Sequence, residues 1–315
     1  MAPRQLLKLI AAPLLLGGVL WLARPEKVLL ALGNAHRGWL LAGFIAALAA
    51  NVLSACRWRR MCLWLGLQLS GRGALSAYFQ GVAANVLLPG ATLGGDMLRV
   101  TQVVRLGNPA WESGWSVLLD RLSGLWVLCV LSVATLATWL GAGREVPGLA
   151  AWLPGGSGAG AWVGAAALLG LLLPPLLYVW GRHGLLPLLT QRWRELFTRL
   201  LVRAGPGRLY LQQLGLSCLV QLLSAGALAC AGFALGLDLA PAVFLIVAAP
   251  IFVMAALPVS FGGWGTREAA AAVSFGFFGA AADLAVGTSL VYGFYAVGQA
   301  LLAIGGGVLP RRCGD

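Results

Sequence analysis

Six ionisable residues stand where few belong. Asp96, Arg99, Asp120, Arg121, Arg267 and Glu268 lie beside or within apolar segments. A charge at the centre of a membrane-spanning helix costs on the order of 2.5–3.5 kcal/mol on insertion scales. Opposite signs come together each time: Asp96 with Arg99, Asp120 beside Arg121, Arg267 beside Glu268. Pairing offsets much of that cost. The chemistry such a set offers is anion recognition, because the planar guanidinium fork can donate two parallel hydrogen bonds to a phosphate. One reading is therefore a polar cavity at membrane depth that receives an anionic headgroup. A second is a set of salt bridges that only lock helices together, or pairs that snorkel to the interface. A third makes Asp96, Asp120 or Glu268 the base of a membrane-embedded transferase acting on a lipid. Asn85 and Ser260, small polar residues near the same segments, either cap freed backbone groups or touch ligand.

Other chemistry has little to work with. The only histidines are His36 and His183, both in polar connections. Cys56, Cys62, Cys129, Cys218, Cys230 and Cys313 form no C-x-x-C pair, and most lie in or beside apolar runs. They read as small buried hydrophobes rather than as a disulfide framework or a zinc site. No G-x-S-x-G elbow or phosphate-binding P-loop pattern occurs. We therefore expect no metal, no cofactor and no catalytic residue.

The charges cluster at two interruptions. The apolar run 73–88 stops at Pro89 and is followed by Gly94, Gly95, Asp96 and Arg99. The run 242–257 stops at Pro258 and is followed by Gly262, Gly263, Gly265, Arg267 and Glu268. A 16-residue helix reaches only about 24 Å, short of a hydrocarbon core about 30 Å thick. Each region thus reads as a re-entrant hairpin, tolerated at membrane depth only when buried in protein or lining a watery cavity. Broken helices at matching positions of two inverted repeats mark a transporter's central site. Amides freed at the start of a helix can bind an anion. In a chain with 44 glycines, a chance match between two Gly/Pro turns is the competing explanation.

The remaining elements are those of a membrane protein. Of 315 residues, 60% are hydrophobic and only 10% charged, with a mean hydropathy of +0.86. A soluble domain carries about a quarter charged residues. That excludes a cytosolic enzyme, a secreted disulfide scaffold and a disordered chain. The net charge of +12 comes from basic residues flanking apolar runs, which fits the positive-inside rule rather than nucleic-acid binding. Six full spans are expected, near 6–23, 39–56, 114–140, 161–180, 210–235 and 284–309. The first reads as a retained signal anchor. The expected architecture is all-α, a single transmembrane domain over 1–315, with possible repeat halves 39–140 and 208–309. The Arg-rich stretch 182–208 reads as a basic amphipathic helix on the cytoplasmic face, with an ordinary basic loop as the alternative. Counting spans from that stretch places both termini in the cytoplasm and inserts the two hairpins from opposite faces. The basic connection 24–38 then lies outside, against the rule.

The motifs resemble a known family. Asn85 and Pro89 form N-x-x-x-P; Gly94, Gly95, Asp96 and Arg99 form G-G-D-x-x-R; Asp120 and Arg121 form an acid–Arg pair. Pro258, Ser260, Gly262, Gly263, Gly265, Arg267 and Glu268 form P-x-S-x-G-G-x-G-x-R-E. These blocks, in this order, resemble the lysylphosphatidylglycerol synthase transmembrane-region family, the flippase-like domain of bacterial multiple peptide resistance factors. Asp96 and Asp120 depart from the Glu commoner there and shorten the reach. The resemblance implies a bacterial inner-membrane protein that moves an anionic, aminoacylated or polyprenyl-linked lipid. The alternatives it leaves are a lipid-modifying transferase or a scaffold for one. The chain ends at Asp315, so no soluble aminoacyltransferase domain is expected and the synthase activity does not carry over. Expected partners are a membrane lipid, a separate lipid-modifying enzyme and a second copy of the chain, and no nucleic acid.

Overall fold

The structure, a computed structural model, describes residues 25–87, 92–149, 159–185, 205–257 and 263–305, with positions 191, 194 and 198. The expected first span, Pro89, Pro258, Ser260, Gly262 and most of 182–208 lie outside the described residues. Within them the chain is all helical. The helices are α1 (Pro25–Gly33), α2 (Arg37–Trp64), α3 (Gly71–Leu87), α4 (Thr92–Arg105) and α5 (Ala110–Gly141). They continue with α6 (Ala159–Trp180), α7 (Pro206–Ala234), α8 (Pro241–Ala256), α9 (Thr266–Gly276) and α10 (Ala282–Gly305). Helices α2, α5, α6, α7 and α10 are long and apolar enough to cross a bilayer, and α8 is a shorter apolar helix. The chain is a multi-pass membrane protein.

Helices α3 and α4 fold back on each other, and the contacts between them run antiparallel. At the open end, Gln68 N donates to Asn108 Oδ1 at 2.7 Å, and Asn108 Nδ2 donates to Gln68 O at 3.0 Å. Deeper in, Gln102 Nε2 donates to Gln80 Oε1 at 3.0 Å and the Arg99 stem passes over Gly81. At the tip, Gly95 N donates to Asn85 Oδ1 at 2.9 Å. Numbers rise on one limb as they fall on the other, so the chain enters and leaves at one end. Gly95 permits the close approach, since a Cβ there would collide with the Gly81 carbonyl oxygen and the Asn85 side chain.

Helices α8 and α9 form the second hairpin. Phe244 and Phe275 meet edge to face near its mouth, 5.4 Å between centroids, and Gly263 backs onto Ala255 at its tip. Helix α5 relates the two. It begins after a four-residue link from α4, at the first mouth. In its last turn Trp139 stands edge-on to Phe278, and beyond its end Gly148 N donates to Phe277 O at 3.1 Å, at the second mouth. The hairpins therefore open at opposite ends of the bundle.

The two halves pack alike. Helix α2 lies against α7; α3 packs on α10 as α8 packs on α5; α4 packs on α5 as α9 packs on α10. Their turns match too. Leu65, Gly66 and Leu67 end α2, and Leu235, Gly236 and Leu237 end α7. Both glycines have positive φ, 78° and 81°, and both following leucines donate backward five residues at 2.9 Å, Leu67 to Cys62 and Leu237 to Gly232. This is the Schellman closure that left-handed glycine permits.

Two local expectations change. The span placed at 39–56 continues to Trp64, so Arg57, Arg59 and Arg60 are helical instead of flanking. A helix can continue through arginine where the guanidinium finds partners, and Arg57 does so inside the bundle. The stretch 24–38 is not only a connection; most of it is α1, which packs on α10.

A Gly95→Val variant is expected to lose about 1–3 kcal/mol through overpacking at the hairpin tip. Gly114→Ala, where a Cβ meets nothing within 4 Å, is expected to match wild type. Thermal unfolding of the detergent-purified proteins measures both.

Candidate functional site

Four helices bring polar side chains to one place. Helix α4 offers Asp96 and Arg99, three residues apart and so on one face. Helix α5 offers Asp120 and Arg121. Helix α2 offers Asn51, Ser54 and Arg57 at three-residue steps, and α7 offers Gln213, Ser217, Gln221 and Ser224 along one side.

Asp120 is the hub. Its residue surface is 1% exposed, and each carboxylate oxygen takes a different arginine. Arg57 Nε donates to Oδ1 at 2.9 Å, and Arg99 Nη2 donates to Oδ2 at 2.8 Å. Arg57 is further held by the Asp120 carbonyl at 3.0 Å and by Ser217 Oγ at 2.9 Å. Gln213 Nε2 donates to the Arg57 carbonyl at 3.2 Å. The Arg99 guanidinium lies between two rings, 4.3 Å from the Trp58 centroid and 4.8 Å from that of Tyr78. Such cation–π contact stabilises a desolvated guanidinium. Arg121 pairs with Asp96 Oδ2, and Asp96 Oδ1 lies 3.7 Å from Arg99 Nη1. Arg121 keeps 30% of its side chain exposed, whereas Arg57 and Arg99 are buried.

These groups wall a cavity of about 370 Å³. Its charged lining among the described residues is Arg57, Arg99 and Arg121 against Asp96 and Asp120, an excess of one positive charge. Asn85 lines it as well, with its Oδ1 already accepting from Gly95 N. The rest of the wall is neutral: Asn51, Ser54, Gln221, Ser224 and Tyr292 among apolar residues.

Arg267 and Glu268 form a separate cluster and are not on this wall. Glu268 is fully buried. Its Oε1 accepts from Arg267 Nη2 at 2.8 Å and from Ser289 Oγ at 2.9 Å; its Oε2 accepts from Gly265 N at 2.6 Å. Arg267 Nε also donates to Ser289 Oγ at 3.0 Å, and its guanidinium lies 5.0 Å from the Trp264 ring centroid. Glutamate at the third residue of α9 thus satisfies an amide at the helix start, as in a capping box. Gly263 and Gly265 take the positive φ values that this turn requires, 80° and 86°.

Arg57 is the residue that sequence reasoning missed, read as one of a flanking basic trio. The signal was present as a polar stripe, Asn51, Ser54 and Arg57, on one face of an otherwise apolar helix. Gln221 and Tyr292 were also missed, since single polar residues in long spans carry no distinguishing pattern.

Asp120→Ala would leave two buried guanidiniums without their shared counter-ion and is expected to cost about 3–5 kcal/mol. Arg57→Met leaves Asp120 paired to Arg99 and is expected to cost less, about 1–3 kcal/mol. Denaturant unfolding in detergent orders the two.

No curated protein matches the chain. The family described as lysylphosphatidylglycerol synthase TM region matches residues 6–304, nearly the whole length. The blocks that carry the resemblance include Asp96 with Arg99, Asp120 with Arg121, and Arg267 with Glu268. Asp96–Arg99 and Arg267–Glu268 form ion pairs within the bundle, whereas Asp120 pairs with Arg57 and Arg99, and Arg121 pairs with Asp96. The multi-pass helical chain belongs to the lysylphosphatidylglycerol synthase transmembrane-region family.

Proposed function

We propose that the protein carries a lipid across the bacterial inner membrane, taking the headgroup into the arginine-lined cavity while the acyl chains stay in the bilayer. One observation carries this reading: a cavity about 370 Å³ in volume, walled by three arginines against two aspartates, inside a membrane bundle. An uncompensated positive charge in a low-dielectric site attracts an anion, and an anionic headgroup is what a membrane supplies. The matched packing of α2–α5 and α7–α10, with hairpins opening at opposite ends, supports an inverted repeat and alternating access by rocking of one half on the other. A transferase reading has less support. Its candidate bases, Asp96, Asp120 and Glu268, each already hold a guanidinium.

The charge distribution supports an orientation. The end holding the first mouth carries Arg59, Arg60, Arg72, Arg105 and Arg208 against Glu112. The opposite end carries Arg37 and Arg144 against Glu145, Asp238 and Asp283. By the positive-inside rule the first mouth faces the cytoplasm.

In proteoliposomes with acyl-labelled anionic phospholipid, wild-type protein is expected to exchange lipid between leaflets, and Arg121→Gln to slow exchange about tenfold, the worth of one charge-assisted contact. A wild-type rate equal to that of empty vesicles refutes translocation; an unaltered rate in Arg121→Gln refutes the cavity as its route. For orientation, single cysteines are introduced into a background lacking the native ones. Ala142→Cys is expected to react with an impermeant maleimide on spheroplasts, and Leu106→Cys only after lysis.

A further inference from the structure

The cavity wall has two kinds of surface, and together they specify more than an anion. We infer that the headgroup it takes is a phosphodiester bearing a neutral, hydroxylated group, and that an amine-bearing headgroup is disfavoured. The inference rests on the translocation reading only in taking this cavity as the headgroup site.

Charge comes first. With Arg57, Arg99 and Arg121 against Asp96 and Asp120, the lining has one positive charge in excess. A phosphodiester has one negative charge and balances it. An ammonium on the same headgroup would restore the imbalance and would need a carboxylate or an open aromatic cage. Both carboxylates already have their charge met by arginine. Asp120 is bonded by two arginines, and Asp96 is paired with Arg121 while facing Arg99 at 3.7 Å. The rings are taken as well: Arg99 covers Tyr78 at 4.8 Å, and Tyr292 stacks on Phe252 at 5.0 Å.

The unmet hydrogen bonds point the same way. Arg99, 5% exposed, has an Nε–H with no acceptor among the described residues, and Asp96 Oδ1 has no donor. The first suits a phosphate or hydroxyl oxygen. The second suits a hydroxyl, which donates without adding charge, since Oδ1 already lies beside a guanidinium. Away from the arginines the polar groups of the wall, set among apolar residues, are amide and hydroxyl: Asn51 donates to Gln299 Oε1, Gln221 Nε2 donates to the Gly124 carbonyl at 2.9 Å, and the Tyr292 hydroxyl shares a hydrogen bond with Ser224. Fixed neutral donors and acceptors of this kind match a polyol. Glycerol and a hexose share that chemistry.

The test is competitive retention on the full-length protein in detergent, read by native mass spectrometry. Equimolar phosphatidylglycerol, a polyprenyl phosphohexose, phosphatidylethanolamine and lysyl-phosphatidylglycerol are offered. At least one hydroxylated lipid is expected to be retained about fivefold over both amine-bearing ones, the worth of one net hydrogen bond. Whichever of the first two is retained more names the tail. Tyr292→Phe with Ser224→Ala, which delete hydroxyls and little volume, are expected to shrink that preference toward unity. Equal or greater retention of either amine-bearing lipid by wild-type protein overturns the inference, as does an undiminished preference in the folded double variant. Retention is read without transport. A selective protein that moves no lipid in vesicles therefore refutes translocation alone, and one that moves lipid but retains all four alike refutes selectivity alone.

Discussion

Asp120 sits between two guanidinium groups in the interior of a membrane bundle, and the arrangement of the first half follows from keeping that carboxylate partnered. An isolated ion there would cost several kcal/mol. Arg57 from α2 and Arg99 from α4 each take one oxygen, at 2.9 and 2.8 Å, so α5, which carries the carboxylate, is tied to both. Ser217 of α7 completes the set through Arg57. One side chain thus ties three neighbouring helices together and, through Arg57, reaches a fourth from the other half.

The hairpin that delivers Arg99 depends on the same economy of polar groups. A chain that turns back inside a membrane leaves helix-end amides and carbonyls without water. Asn85 takes the Gly95 amide at the tip, and Asn108 ties the two limbs at the mouth. The second hairpin meets the same need differently. There Glu268 takes the Gly265 amide itself and holds Arg267 with its other oxygen. One half turns its charges toward a cavity, and the other uses its charges to close a turn. The two halves share a packing plan but not a task.

This division explains why the cavity has an excess of positive charge. Arg57 has no counterpart in the second cluster, where one arginine meets one glutamate. Among the described residues its guanidinium is bonded to groups on neighbouring helices, and its position on α2 brings it to a carboxylate that Arg99 alone would have neutralised. The third arginine, Arg121, is the most exposed of the set, and its partner Asp96 already faces Arg99.

Much of this was legible in the residues. Sixty per cent apolar composition and long hydrophobic runs dictate a helical membrane bundle, because only helices or closed barrels satisfy their backbone in lipid. Pro and Gly at two matching places dictate interruptions, and unlike charges beside them dictate pairing. The partners were not legible. Asp96–Arg99 and Arg267–Glu268 are sequence neighbours and pair as neighbours, but Asp120 turns away from the adjacent Arg121 to arginines 63 and 21 positions distant. Consecutive residues on a helix point about 100° apart, so adjacency in sequence separates these two side chains instead of joining them. Only the packing of α2 and α4 on α5 could decide which arginines face the carboxylate, and with that, on which side of the protein a cavity opens.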